Sequence, residues 1–226
     1  MNVGSIRAAG CAALLAFACS EGSEPGTTAA PTETWPSGTV LVVEGQPILD
    51  IEVDQDSTLI YHLALESTER DLRRKALATL TLPRAIGRVL AGDRRDEVEQ
   101  EASAELARLV DGSQPMPDQT WRRRGGYGDV GYAIWGTALE TPAGSWTPLI
   151  EVDGAFVAAF VHQLYPYEIP AGTEVDVEVV EWPYVDGARD EVLESAKDEL
   201  KLEIIDPEWR LIVPERTQYR MGVHES

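Results

Sequence analysis

The body of this chain contains no cysteine. Both cysteines, Cys11 and Cys19, fall near the start, so nothing beyond them can form a disulfide or act as a thiol nucleophile. Histidine is almost as scarce. His62, His162 and His224 are the only three, and none has a carboxylate or cysteine beside it at metal-ligand spacing. Basic residues are outnumbered, 19 against 39 acidic, for a formal net charge of −20. Phosphate binding needs a basic face, so this imbalance excludes nucleic acid as a partner. No serine sits in a nucleophile elbow, and Gly125-Gly126-Tyr127-Gly128 lacks the Lys-Ser/Thr of a phosphate loop. Hydrolase and nucleotide-binding readings therefore fail for want of parts, and the sequence calls for no cofactor, no metal and no identifiable catalytic residue.

What is present begins with targeting. Arg7 is the only charge ahead of a short apolar run from Ala8 to Ala18. A helix needs about 20 residues to span a bilayer, so this run reads as a signal peptide over 1–18. Ala16-Phe17-Ala18 satisfies the small-x-small rule for ordinary cleavage. Followed by Cys19, it also resembles the lipobox of bacterial lipoproteins, departing at Ala16, where leucine is commonest. The resemblance implies a lipidated Cys19 as the mature N-terminus. Ser20 after it implies, by analogy with enterobacteria, an outer-membrane lipoprotein facing the periplasm. Residues 19–38 are rich in Ser, Gly, Pro, Thr and Glu and read as a flexible tether.

Beyond the tether, "GTVLVVEGQPILDIEVDQ" reads as a strand, a turn at Glu44-Gly45-Gln46-Pro47, and the entry to a helix. Leu72, Ala76 and Leu80 form one helical stripe that Pro83 ends or kinks. Val98, Ala102, Leu106 and Leu109/Val110 form another, capped by Gly112. These elements predict a helical lobe over 39–112. "SQPMPDQTWRRRGGYG" has no period and reads as a loop, and "DVGYAIW" as a strand. Asp153-Gly154 between two β-prone runs predicts a hairpin with a two-residue type I′ loop, in which both central residues take positive φ. "EVDVEVVEW" alternates valines with acids, which predicts a strand buried on one face. Asp186 is placed to cap a helix striped by Ala188, Val192, Ala196 and Leu200, "KLEIIDP" returns as a strand stopped by Pro207, and the tail is apolar enough to pack on the body. The fold class is α+β: the helical lobe, then over 113–226 a small, largely antiparallel sheet with a C-terminal helix.

Two groups of side chains stand out. Tyr132, Trp135, Trp146, Phe156 and Phe160 crowd a short region. Tyr132, Trp135, Phe156 and Phe160 are the candidate lining of a groove for extended apolar peptide; the plainer alternative is that they fill the core of a thin sheet. Phe156, Ala158 and Phe160 are expected on one strand face. Arg122-Arg123-Arg124 is the one basic run. It suits an anion or phosphopeptide, or, more simply, the protein's own acidic surface. The pairs Glu97 with Glu101 and Asp198 with Glu199 read as solvated helix faces.

In order along the chain, these pieces resemble a known family. "GGYGDVGY" is similar to the Gly-Gly-Asp-Leu-Gly-Trp strand of parvulin-type peptidyl-prolyl isomerases, and "ALETPAGSWTPLIEVDGAFVAAFV" to the turn and final hairpin that follow it there. "VLVVEGQPILDIEVDQ" resembles the strand opening the N-terminal domain of periplasmic chaperones of the SurA and PrsA class. The resemblance implies a parvulin-like sheet behind a SurA-like helical lobe, and binding of unfolded or extended polypeptide at the envelope of a Gram-negative-type bacterium, with the membrane reached only through the lipid. The family's two histidines are missing. Phe156 stands at the position of the second, and no His-x-Leu precedes the Val98 helix. Residues 132–138 are also too few for the Met and Phe helix of the family's proline pocket. An isomerase works against a barrier of about 18–20 kcal/mol by desolvating and twisting the prolyl amide, so little activity is expected. An active isomerase with an unusual site, and a non-enzymatic lipoprotein docking one folded partner through its acidic face, remain the alternatives. Whether Val175–Trp182 replaces the family's missing first strand is left open.

Overall fold

The chain doubles back at Glu44-Gly45, where both residues adopt positive φ, 43° and 84°. That is the backbone of a type I′ loop, and it pairs β1 (Thr39–Val43) with β2 (Gln46–Leu49). The second apolar stretch is thus a short strand before helix α1 (Asp50–Tyr61) begins. Pro47 hides the strand in the sequence, yet it is tolerated because β2 is a sheet edge. The computed structural model describes residues 34–61 and 67–225. The expected signal peptide, Cys19, most of the tether and His62 lie outside them.

Helix α2 (Glu69–Ala76) starts at Thr68, whose side chain accepts from the Asp71 N–H at 3.2 Å. Pro83 does not end the helix. A π turn over Leu77–Thr81, with the Leu82 N–H reaching back to the Leu77 carbonyl, absorbs the missing donor and the chain continues as α3 (Leu82–Ala91). Helix α4 (Arg94–Val110) follows and stops ahead of Gly112 as its stripe predicts. Ala102, Leu106 and Leu109 are buried.

Two expectations fail between residues 113 and 140. The supposed loop contains strand β3 (Thr120–Gly125), and the supposed strand "DVGYAIW" is helical, as α5 (Tyr127–Val130) and α6 (Tyr132–Glu140), separated by Gly131. In α6, four consecutive residues from Ala133 to Gly136 are buried, as is Ala138. A run enclosed on nearly every side has no amphipathic period, so periodicity cannot distinguish it from a buried strand. The stretch from Tyr132 to Glu140 is thus a helix, without the Met and Phe of the family's pocket helix.

The remainder is β4 (Ser145–Trp146), β5 (Ile150–Val152), β6 (Ala155–Tyr165), β7 (Glu174–Pro183), α7 (Arg189–Ala196), β8 (Leu202–Ile204), α8 (Glu215–Arg220) and β9 (His224–Glu225). The β5–β6 hairpin forms at Asp153-Gly154, but only Gly154 has positive φ (81°), so its loop is not type I′. Asp186 does not cap α7. Ala188 holds that position without a side-chain bond, and Asp186 pairs instead with Arg94 at 2.6 Å.

The fold is α+β with two sheets. One runs β2-β1-β8-β9 and the other β3-β7-β6-β4, with β5 also on β6; every pair is antiparallel except β8 with β9. Residues from Trp35 onward form one compact unit. Elements from both sides of residue 112 share its cores. β8 pairs with β1, and the tail residues Trp209, Ile212 and Met221 pack with Leu41, Ile48 and Ile86. α4 lies on one face of the second sheet against Phe156, Ala158, Val180 and Trp182. α6 lies on the other, with Trp135 against Val157, Val177 and Val179. The valine alternation of β7 is thus realised, and the alternate positions are covered only where α4 reaches.

Candidate functional site

The four candidate aromatics do not share a groove. Trp135 is fully buried, and its indole Nε1–H donates to the Thr173 carbonyl at 2.8 Å. Tyr132 is half-buried, stacked on Tyr127 with centroids 5.1 Å apart and with the Lys75 ammonium 5.3 Å above its ring. Phe156 lies on the opposite face of the sheet, buried beneath the Arg95 guanidinium (5.1 Å) and beside Tyr184 (5.4 Å). Phe160, on the same strand as Phe156 and with the same parity, meets Trp146 and His162 edge-on at 5.6 and 5.0 Å. For Trp135 and Phe156 the plain core reading is the right one.

Phe156 is held where it is by an ionic hub. Glu151 accepts from Arg88 at 3.0 and 2.6 Å, from Arg95 at 3.1 and 3.3 Å, and from the Tyr184 hydroxyl at 3.2 Å. Arg88 also donates to Glu52 at 2.9 Å. Burial alone would raise the Glu151 carboxyl, but the hydrogen bonds and charges of the two arginines hold it down to about 2. Burial and the adjacent Glu151 push the Tyr184 phenol up. The hub joins α1, α3, α4 and the β5–β6 hairpin, so it acts as a structural joint.

His162 is on the α4 side of the sheet, its Nε2 3.1 Å from Glu178 Oε2. Thr120 donates to the other oxygen of Glu178 at 3.0 Å. The arginine run forms the middle of β3. Arg122 grips Asp176 with two bonds, 3.0 and 2.7 Å, and Arg124 donates to Glu174 at 2.7 Å while lying 3.6 Å over Tyr165. Both therefore pair with the protein's own acids, as the simpler reading anticipated, but from a strand. Arg123 points to the other face and donates to the Asp129 carbonyl at 2.9 Å. The expected solvated acids Glu97, Glu101, Asp198 and Glu199 are all exposed, Asp198 pairing with Arg220.

On the α6 side, a cleft of about 670 Å³ opens beside β3. Its apolar lining includes Trp121, Tyr132, Ile134 and Val157, with Arg84 and Arg123 among its charged walls. Trp121 is 36% exposed there. Arg84 spends both terminal nitrogens on Asp56, at 3.2 and 2.8 Å, while its buried Nε has no hydrogen-bond partner among the described residues. Asp153 sits half-buried at the hairpin tip, and burial raises its carboxyl. No histidine, cysteine or serine lines the cleft among the described residues. Of the aromatic candidates named from sequence, only Tyr132 lines it, together with Arg122 and Arg123 of the arginine run. Trp121 was missed, although its alternation with Thr120 and Arg122 is a two-residue period. The signal was available but lay in a segment without apolar contrast.

No family model, curated protein or solved structure matches the chain. The reading of the site therefore rests on its geometry.

Proposed function

We propose that this protein is an exported, lipid-anchored binder of extended or unfolded polypeptide at the bacterial envelope, with a parvulin-like frame and no isomerase chemistry. The observation that carries the reading is the cleft itself: about 670 Å³, bordered by an exposed sheet edge, with a tryptophan 36% exposed in it. Concave sites with apolar floors and a few convergent polar groups suit ligand capture, and an open sheet edge suits extended chains. The parvulin-like frame draws support from topology. β7, the strand suggested as a replacement for the family's first, is hydrogen-bonded to both β3 and β6, between the Gly125 match and the hairpin match. The non-catalytic part draws support from Phe156, locked under Arg95 at the position where the family carries histidine.

The test is suppression of aggregation of an unfolded client, together with direct binding of unfolded polypeptide. Stoichiometric protection, weakened by Trp121→Ala, is the expected result. A protein that neither protects nor binds sinks the proposal.

A second reading draws on the burial of Trp135 and Phe156. With those rings in the core, the acidic surface becomes the alternative contact, docking one folded partner. Salt-sensitive co-purification with a single basic protein would favour it, whereas many unrelated clients would favour the cleft.

A further inference from the structure

Strand β3 ends the second sheet. Four of its six residues, Trp121 to Arg124, are exposed, and it contains no proline. Among the described residues, no hydrogen bond other than those to β7 reaches the backbone of residues 120–124. An edge of this kind is a template for another strand unless something blunts it. Arginines are the only guard, and they are also what makes the edge selective.

The bonded side of β3 displays what it recognises. Its partner over residues 174–180 is "EVDVEVV", with acids at 174, 176 and 178 alternating with valines. The acids lie on the face of Arg122 and Arg124, Asp176 and Glu174 accepting the arginines' hydrogen bonds and Glu178 that of Thr120, while Val177 and Val179 lie opposite Arg123 and Trp121. The same side chains border the free edge. Arg122 and Arg124 remain 55% and 53% exposed. Each guanidinium has five N–H donors, of which Arg122 commits two and Arg124 one to carboxylates, so donors remain for a second row of acids.

We infer that the free edge of β3 binds, by strand addition, an extended polypeptide segment alternating acidic and β-branched apolar residues. This deepens the polypeptide-binding reading above and rests on it. In the docked segment the acids lie over Arg122 and Arg124, and the apolar residues enter the cleft beside Trp121. A second copy of this chain is the wrong occupant. Edge-to-edge pairing would set the three arginines of one copy against the three of the other, a repulsive arrangement.

The test titrates the full-length protein with three capped peptides: Glu-Val-Asp-Val-Glu-Val-Val, its Lys-Val-Lys-Val-Lys-Val-Val counterpart, and the acidic peptide with proline at its centre. The acidic peptide is expected to bind at least tenfold more tightly than either of the others. Saturating it should slow amide exchange in 120–125 at least tenfold. In the Arg122→Ser/Arg124→Ser variant, which removes the two arginine ion pairs and the Arg124–Tyr165 contact, the preference for acid over lysine is expected to collapse. Equal binding of all three peptides, no binding of any, protection confined to residues outside 120–125, or displacement by self-association in sedimentation would each overturn the inference. Unfolded-client protection does not depend on the acidic pattern. If clients are protected but the peptides are not discriminated, the edge assignment fails and the broader function stands. If the acidic peptide binds the edge but no client is protected, the reverse holds.

Discussion

The two ends of the second sheet use the same chemistry, arginine against carboxylate, to opposite effect. At the hairpin tip Glu151 is 11% exposed and shared by Arg88 and Arg95, themselves about one-fifth exposed. At the β3 edge Asp176 and Glu174 each hold one arginine that stays more than half exposed. Asp176 itself is 14% exposed, so it is the burial of the arginines that decides the difference. Charges removed from water must be paired, and removing one partner strands the others. Exposed pairs gain little, because solvent screens them and two long side chains must be ordered to form them. One end is therefore a joint between layers and the other a surface whose charges are available to a partner.

Breaking the joint should have the largest effect. Glu151→Gln leaves Arg88 and Arg95 facing each other without their shared anion, and is expected to cost about 3–5 kcal/mol of stability, read as a shift in the denaturant midpoint. The pH dependence follows from the same carboxyl. Its value falls from 4.5 to about 2 on folding, so the folded state gains about 3 kcal/mol from it above pH 4.5. That gain disappears as pH drops from about 4.5 through about 2. The wild-type acid-unfolding limb should therefore lie in that window and flatten in the variant. A variant that loses under 1 kcal/mol would erase the contrast between the two ends.

Next in size is the contact that lets the hairpin tip reach the hub. A Cβ on Gly87 would stand 2.8 Å from the Gly154 backbone nitrogen, and one on Gly154 would stand 3.0 Å from Val185 at a φ of 81°. Gly154→Ala combines backbone strain with crowding and is expected to cost about 1–3 kcal/mol, measurable by thermal unfolding. Asp153, one residue away, shows the reverse sign. Burial raises its carboxyl, so the charged form is disfavoured in the fold and stability falls as pH rises through the carboxylate range. Asp153→Asn should raise stability at neutral pH and leave it unchanged in acid.

The joint and the edge were unequally legible in the sequence. Hairpin tips were readable because Gly45 and Gly154 announce turns locally, and α4 because Ala102, Leu106 and Leu109 keep a helical period. β3 was not, since an edge strand with Thr120, Arg122 and Arg124 on one face and Trp121 and Arg123 on the other offers no apolar alternation. α6 was misread for the opposite reason, being apolar nearly all round. The candidate site failed where it required knowing which faces meet. Trp135 and Phe156 are close in sequence yet lie on opposite sides of the sheet, and only the non-local order β3-β7-β6 places Trp121 over a cleft with Tyr132 and Val157.

The smallest expected effect on stability belongs to Arg122→Ser, and it is the one that sharpens the comparison most. Arg122 makes two good hydrogen bonds to Asp176, as many as Arg88 makes to Glu151. If bond count governed stability, Arg122→Ser, which removes two bonds, would cost about two-fifths of what Glu151→Gln costs at a carboxylate that accepts five. If burial governs it, Arg122→Ser should leave the unfolding midpoint unchanged within error while Glu151→Gln collapses it. The Asp176 carboxyl, held low chiefly by its Arg122 bond, should return toward its ordinary range in the variant, which carbon-detected titration of the side chain would read. A released carboxyl with an unmoved midpoint means that the edge arginine orders a charge without securing the fold. A midpoint that falls along with it would make β3 part of the joint, and its edge no longer a free surface.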